Sequence, residues 1–218
     1  MTETEGIGVA AAPRRGVPGV RWFTELLARP AARPQMLFLD LRRLAVFLFA
    51  LLVVTGALLS VYYRPSPDGA FESLVAISNT VHFGWFVRSL HRVTGHALVA
   101  VMGLFLLRAF FKRAFLLPRA AGGWRIAVAF SLVCLALLVT GESLPWNQSA
   151  YWQTVVNTNL VAEIPIVGGW LGEAARGGPQ VTGQTLNRVY AMHALVLPWI
   201  AFGLLILVRD RRRKAGAA

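Results

Sequence analysis

The stretch from Val81 to Arg113, VHFGWFVRSLHRVTGHALVAVMGLFLLRAFFKR, decides the fold. Its later part is apolar enough to enter a bilayer, which a helix of about 20 residues crosses. Its first third carries Arg88, His91 and Arg92. Ionisable groups at membrane depth are costly and mark functional sites by default, so an anionic or metallic group is expected beside them. A second histidine, His193 in YAMHALVLPWIAFGLLILV, lies near the start of another apolar stretch. Histidines from two helices that meet across a bundle at one depth hold iron in bis-histidine haem sites.

Working outward, the other apolar residues fall in blocks. Leu44 to Tyr63 is uncharged, Val93 to Leu107 is apolar behind its charged entry, Ile126 to Thr140 is apolar, and Val189 to Val208 carries only His193. At about 20 residues per span these predict four transmembrane helices and an all-α membrane protein. With 218 residues the chain has room for one such domain, and it contains no internal repeat or soluble domain. The reading divides it into a tail and surface helix over 1–36, a four-helix domain over 37–208 and a basic tail over 209–218.

The net charge of +12 follows topology, which sets nucleic acid aside. Arg14, Arg15, Arg21, Arg29, Arg33, Arg42 and Arg43 precede the first span. Arg108, Lys112, Arg113, Arg119 and Arg125 join the second to the third, and Arg209, Arg211, Arg212, Arg213 and Lys214 follow the fourth. All three groups fall on one face of a four-span chain, so the positive-inside rule expects both termini in the cytoplasm of a bacterial-type inner membrane. The N-terminal residues lack a signal-peptide apolar core, so the first span is expected to direct insertion. Before it, VRWFTELLA over Val20 to Ala28 has the spacing of a short amphipathic surface helix. Cys134, the only cysteine, excludes an intrachain disulfide and a CxxCH haem attachment.

The connection after the third span, from Thr140 to His193, is rich in Trp, Pro and Gly and poor in charge. It is expected to form an ordered outer layer of short helices, anchored by Trp146, Trp152 and Trp170. His96, five residues past His91, is turned about 140 degrees from it on a helix, so it is expected to pack against a neighbouring helix or subunit. His82 is expected at the interface.

The strings YYRP, AFESLVAI, FGWFVRSLHR, TGESLPWNQSAYW, TNLVAEIPIVG and TLNRVYAMHALVLP, in this order, resemble the N-terminal four-helix half of the cytochrome b/b6 family, the membrane subunits of quinol-oxidising bc1 and b6f complexes. The resemblance runs from about Leu37 to Leu207. It implies two b haems stacked in the bundle, each held by a histidine of the second and a histidine of the fourth span, with glycines on the first and third spans admitting the porphyrin. The two sets of positions stand roughly 14 residues apart, about 21 Å along a helix.

By this resemblance the outer set is complete, with His91 and His193 as iron ligands and Gly56 and Gly141 as the small-residue positions. The inner set is replaced throughout, by Phe105, by Leu207 or Val208, by Arg42 and by Ala127. One haem b is therefore expected. Arg88 and Arg188 match family arginines beside the outer haem and its propionates; the alternative is that both reach to the outer interface. Asp40 stands where the b6 branch carries a haem-attaching cysteine, so no covalent haem is expected. The resemblance does not extend to the C-terminal half that completes the family's quinol-oxidation site, and any such half is expected as a separate polypeptide.

The resemblance thus implies a monohaem cytochrome subunit of a membrane quinol oxidoreductase, an electron-transfer component and not a catalyst alone. Its expected partners are a Rieske-type protein, a C-terminal cytochrome b half or a cytochrome c, the quinone pool and the bilayer, and quinol or quinone is a possible ligand. Two alternatives stay open: a structural anchor subunit with little haem-mediated electron transfer, and the four-helix b cytochrome that anchors hydrogenases or dehydrogenases.

Overall fold

A computed structural model describes residues 34–216, with side chains over 41–117 and 120–209. The amphipathic helix expected over Val20 to Ala28 lies outside the described residues. In chain order the elements are α1 (Pro34–Tyr62), α2 (Gly69–Asn79), α3 (Gly84–Phe111), α4 (Pro118–Ser143), α5 (Gln148–Ala162), α6 (Gly168–Arg176), α7 (Gly183–Ala191), a π-helical turn (Met192–Val196) and α8 (Leu197–Gly216). No strand occurs among the described residues.

Four helical stretches are long and apolar enough to cross a membrane: Leu41–Tyr62, Gly84–Phe111, Ala120–Ser143 and Gly183–Arg209. Each contains one of the four apolar blocks read from the sequence, save that Tyr63 falls just past the first stretch. The helices run past those blocks because Arg and Lys are good helix formers, so charge ends an apolar run without ending a helix. Large apolar side chains also face outward, among them Phe47, Val54, Leu107 and Phe202. Helices apolar on every side belong in a lipid environment, and the chain is an all-α membrane protein.

Local chemistry sets the helix ends. Pro118 opens α4, where its missing N–H costs nothing. Asn147 caps α5 by accepting from the Ala150 N–H at 2.9 Å. Thr182 and Thr185 form a capping box on α7, with Thr185 Oγ1 accepting from the Thr182 N–H at 2.9 Å. Gly177, at φ 83, closes α6 in the left-handed conformation that glycine adopts without strain. The segment between the third and fourth spans is thus a layer of two short helices, as its composition suggests. Only Trp146 of its three tryptophans is tucked in, against Tyr151; Trp152 and Trp170 are exposed.

Two apolar clusters organise the interior. One, toward the arginine-rich end of the bundle, comprises Ala45, Phe49, Leu98, Met102, Phe130, Cys134 and Ala201, drawn from all four spans. Phe49 and Phe130 meet edge to face with centroids 5.8 Å apart. The other joins α2 to the opposite end through Tyr63, Ala70, Leu74, Ile77 and Leu186. There the Tyr63 hydroxyl donates to the Leu144 carbonyl at 2.7 Å, tying the end of α1 to the end of α4, and its ring packs against Tyr190 with centroids 5.4 Å apart and planes tilted by 34°. Burial, reinforced by the neighbouring Tyr190 phenol, pushes the Tyr63 phenol above its ordinary value, so it stays a neutral donor at any physiological pH.

Tyr63→Phe keeps the ring packing and removes the hydroxyl. It is expected to cost about 1 kcal/mol, read as a lower unfolding midpoint of the purified protein in detergent. An unchanged midpoint would show that the Leu144 carbonyl finds another donor.

Candidate functional site

His91 stands on α3, two turns from its start, and His193 stands in the π-helical turn between α7 and α8. Their rings face each other across the bundle with centroids 6.3 Å apart and planes inclined by 69°. Two imidazoles bonded to one ion from opposite sides, at about 2 Å each, have centroids roughly 6 to 6.5 Å apart. The spacing matches an ion held between the rings.

The π turn that carries His193 has a local cause. Pro198 has no N–H to continue the ladder, and its ring would crowd the carbonyl of Ala194 in a regular α-helix. The backbone widens instead, and the Leu197 N–H reaches back five residues to the Met192 carbonyl. Such turns within α-helices concentrate at functional sites.

Each ring is held by a threonine and a glycine on a neighbouring span. Thr55 Oγ1 donates to the Leu51 carbonyl at 2.7 Å and lies 2.9 Å from His91 Nδ1. Its single proton is committed to the backbone, so the Nδ1–H of His91 donates to the hydroxyl oxygen. Thr140 repeats the pattern, donating to the Ala136 carbonyl at 2.7 Å and standing 3.1 Å from His193 Nδ1. Both imidazoles are thereby set with Nδ1 protonated and the Nε2 lone pair free, the form that ligates a metal through Nε2. One residue on from each threonine, a Cβ at Gly56 would come within 3.1 Å of His91 Cε1, and one at Gly141 within 2.9 Å of His193 Cε1. In this structure the two glycines make room for the imidazoles themselves.

The remaining candidates lie around this pair. Arg88 donates to Ser78 Oγ at 2.7 Å, and Ser78 in turn donates to the Leu74 carbonyl, which ties α3 to α2. Arg188 is exposed, packs over Gly177 and donates to the Ala174 carbonyl. His96 faces Glu142 at 3.8 Å, beside the Arg92–Glu142 ion pair at 3.4 Å. His82 is exposed and touches Phe83 edge to face. Of the inner positions, Phe105 packs on the apolar cluster of the arginine-rich half, Ala127 is half-buried and Leu207 is exposed. No group of three or more His, Cys, Asp or Glu gathers among the described residues. A metal held by His91 and His193 would therefore take its other ligands from a cofactor, which is what a porphyrin supplies.

Fold and site together define a membrane four-helix bundle with one facing histidine pair. The profile of the family described as cytochrome b/b6/petB matches residues 30–209. Cytochrome b6 of Rippkaea orientalis is 34% identical over 83% of this chain and 81% of its own length. Cytochrome b6 of Heliobacterium mobile is 32% identical over 87% of this chain and 90% of its own. A chain of a solved hyperthermophilic respiratory Complex III superposes with a TM-score of 0.75 at 26% identity, over 91% of this chain and 53% of that one, so this chain spans about half its length. The chain belongs to the cytochrome b/b6 family.

Thr140→Val removes the acceptor for the His193 Nδ1–H while keeping shape. In 15N spectra of histidine-labelled protein it is expected to broaden or shift the His193 ring signals and leave those of His91 in place. Unaltered His193 signals would show that another group sets its tautomer.

Proposed function

We propose that this chain is a monohaem b-type cytochrome subunit of a bc1/b6f-like quinol-oxidising complex, relaying single electrons at the histidine end of the bundle. Family membership supports haem b and a place among other subunits of a membrane redox complex. The observation that carries the single-haem reading is the contrast between the two halves of the bundle. One half holds a pair of facing imidazoles, while the other is filled by Phe49, Met102, Phe130, Cys134, Ala201 and, packed on them, Phe105. An apolar cluster packed where the family carries its second haem supports a single macrocycle.

His91 and His193 would hold the iron through Nε2. Arg88 and Arg188 would neutralise the carboxylates at the edge of the ring, each with guanidinium N–H groups beyond those already bonded. When bound, haem with two histidine ligands supplies one-electron transfer and leaves no iron position open for other ligands. The chain contributes the rest. Thr55 and Thr140 orient the imidazoles and keep their outer N–H groups paired. Gly56 and Gly141 let the helices approach, and the surrounding apolar side chains exclude water.

From His91 the helix runs another 20 residues to Phe111, about 30 Å toward the arginine-rich end at the usual rise. In this reading that end faces the cytoplasm, and electrons both arrive and leave on the opposite side. The complementary subunits, quinone pool included, would be the donor and acceptor.

Purified protein is expected to give one haem per chain by pyridine haemochrome and one midpoint in a redox titration of the b band. His91→Ala and His193→Ala are each expected to abolish it. Two midpoints would overturn the single-haem reading, and absence of haem would leave a structural subunit. Gly141→Ala is expected to lower haem retention more than Gly56→Ala, since its Cβ would stand closer to its imidazole. The reverse order would show that the glycines serve the ring of the cofactor and not the histidines.

A further inference from the structure

Arg42, which stands at one of the inner positions, takes no part in holding the haem at the histidine end, although it lies on the interior face of its helix. Residues 42, 45, 49, 52 and 56 of α1 are spaced by three and four, which puts them on one helix face. Ala45 and Phe49 on that face are buried in the core of the bundle, and Gly56 abuts His91. Arg42 closes the row at the arginine-rich end, and its Nε is out of contact with solvent and has no hydrogen-bond partner. Leaving a charged donor buried and unsatisfied is costly, and such groups call for a counter-group.

The surroundings define what that group is. Arg43, Arg113, Arg125 and Arg209 stand at the same end, and the acids that the sequence sets there are Asp40 and Asp210. At the histidine end, Asp68, Glu72, Glu163 and Glu173 offset Arg64, Arg176 and Arg188. The excess of positive charge is thus confined to the end where the Nε of Arg42 lacks a hydrogen-bond partner. Leu107, Phe110, Phe111 and Leu116 are exposed toward the same end of the bundle, so the basic end also carries surface suited to acyl chains.

We propose that Arg42, with the bases around it, binds a phosphate oxyanion, and that the natural source is the headgroup of an anionic phospholipid seated at this end. A guanidinium offers a planar fork of donors that matches phosphate oxygens, and basic pockets between membrane helices recognise such headgroups. The site lies at the opposite end of the bundle from the histidine pair; because Arg42 stands at one of the inner positions it rests on the single-haem reading, and the lipid titration reads it separately from the haem count.

The test uses the full chain purified in detergent and stripped of lipid, with unfolding midpoint and native mass spectrometry as readouts. It is titrated with phosphatidylglycerol, with phosphatidylcholine and with inorganic phosphate. Phosphatidylglycerol is expected to raise the midpoint and remain bound, phosphatidylcholine to do neither, and Arg42→Gln to weaken the phosphatidylglycerol response several-fold. Arg125→Gln, at the exposed rim, is expected to weaken it less. An equal response to inorganic phosphate would keep the anion site and overturn the lipid as its source. An Arg42→Gln response equal to the wild type would overturn the proposal. If Arg42→Gln does not accumulate, the wild-type titration still decides, because a midpoint indifferent to both anions overturns it without a variant.

Discussion

An imidazole inside an apolar bundle must find an acceptor for its N–H, because water is not there to supply one. This requirement links four helices. Thr55 on α1 and Thr140 on α4 each commit the hydroxyl proton to their own backbone and turn an oxygen lone pair to a histidine of another span. The glycine that follows each threonine lets the helix carrying the histidine come close enough for that bond. The facing of His91 and His193 is therefore a product of helix spacing as much as of the histidines.

The two ends of the bundle solve different problems. At the histidine end, polar groups find specific partners: Tyr63 the Leu144 carbonyl, Arg88 Ser78, and Arg92 and His96 together Glu142. At the other end, interior cohesion rests on side-chain packing, with an edge-to-face phenylalanine pair at its centre. A membrane bundle gains little from the hydrophobic effect between its spans, since lipid is as apolar as leucine. Close packing and interhelical hydrogen bonds then take its place, and here they are divided between the halves.

Much of this was legible in the sequence. The four apolar blocks and the distribution of arginines predicted the spans, because burial in lipid leaves an unmistakable run of uncharged residues. The helical layer between the third and fourth spans also showed, through tryptophans and prolines in a segment poor in charge. The threonines did not show. The tripeptide Val-Thr-Gly occurs at 54–56, 93–95, 139–141 and 181–183, and only the first and third face a histidine. Thr94 is buried against neighbouring spans and Thr182 is a helix cap, so the pattern alone carries no specificity. What distinguishes the two is which helix lies opposite, and that is a tertiary fact. That Gly56 and Gly141 abut the imidazoles is likewise a tertiary fact.

The π turn at Met192–Val196 has a consequence for anyone redesigning this bundle. It inserts one residue into the fourth span, so positions beyond it are displaced by one relative to a regular helix. Counting from His193, the residue at the level and on the face of the inner position is then Val208 in place of Leu207. The exposures agree, because Leu207 faces outward while Ala201, seven residues before Val208, is fully buried. A second histidine pair engineered into the filled half would be built at Phe105 and Val208. A numbering drawn from helical spacing alone would aim one of its ligands into the lipid.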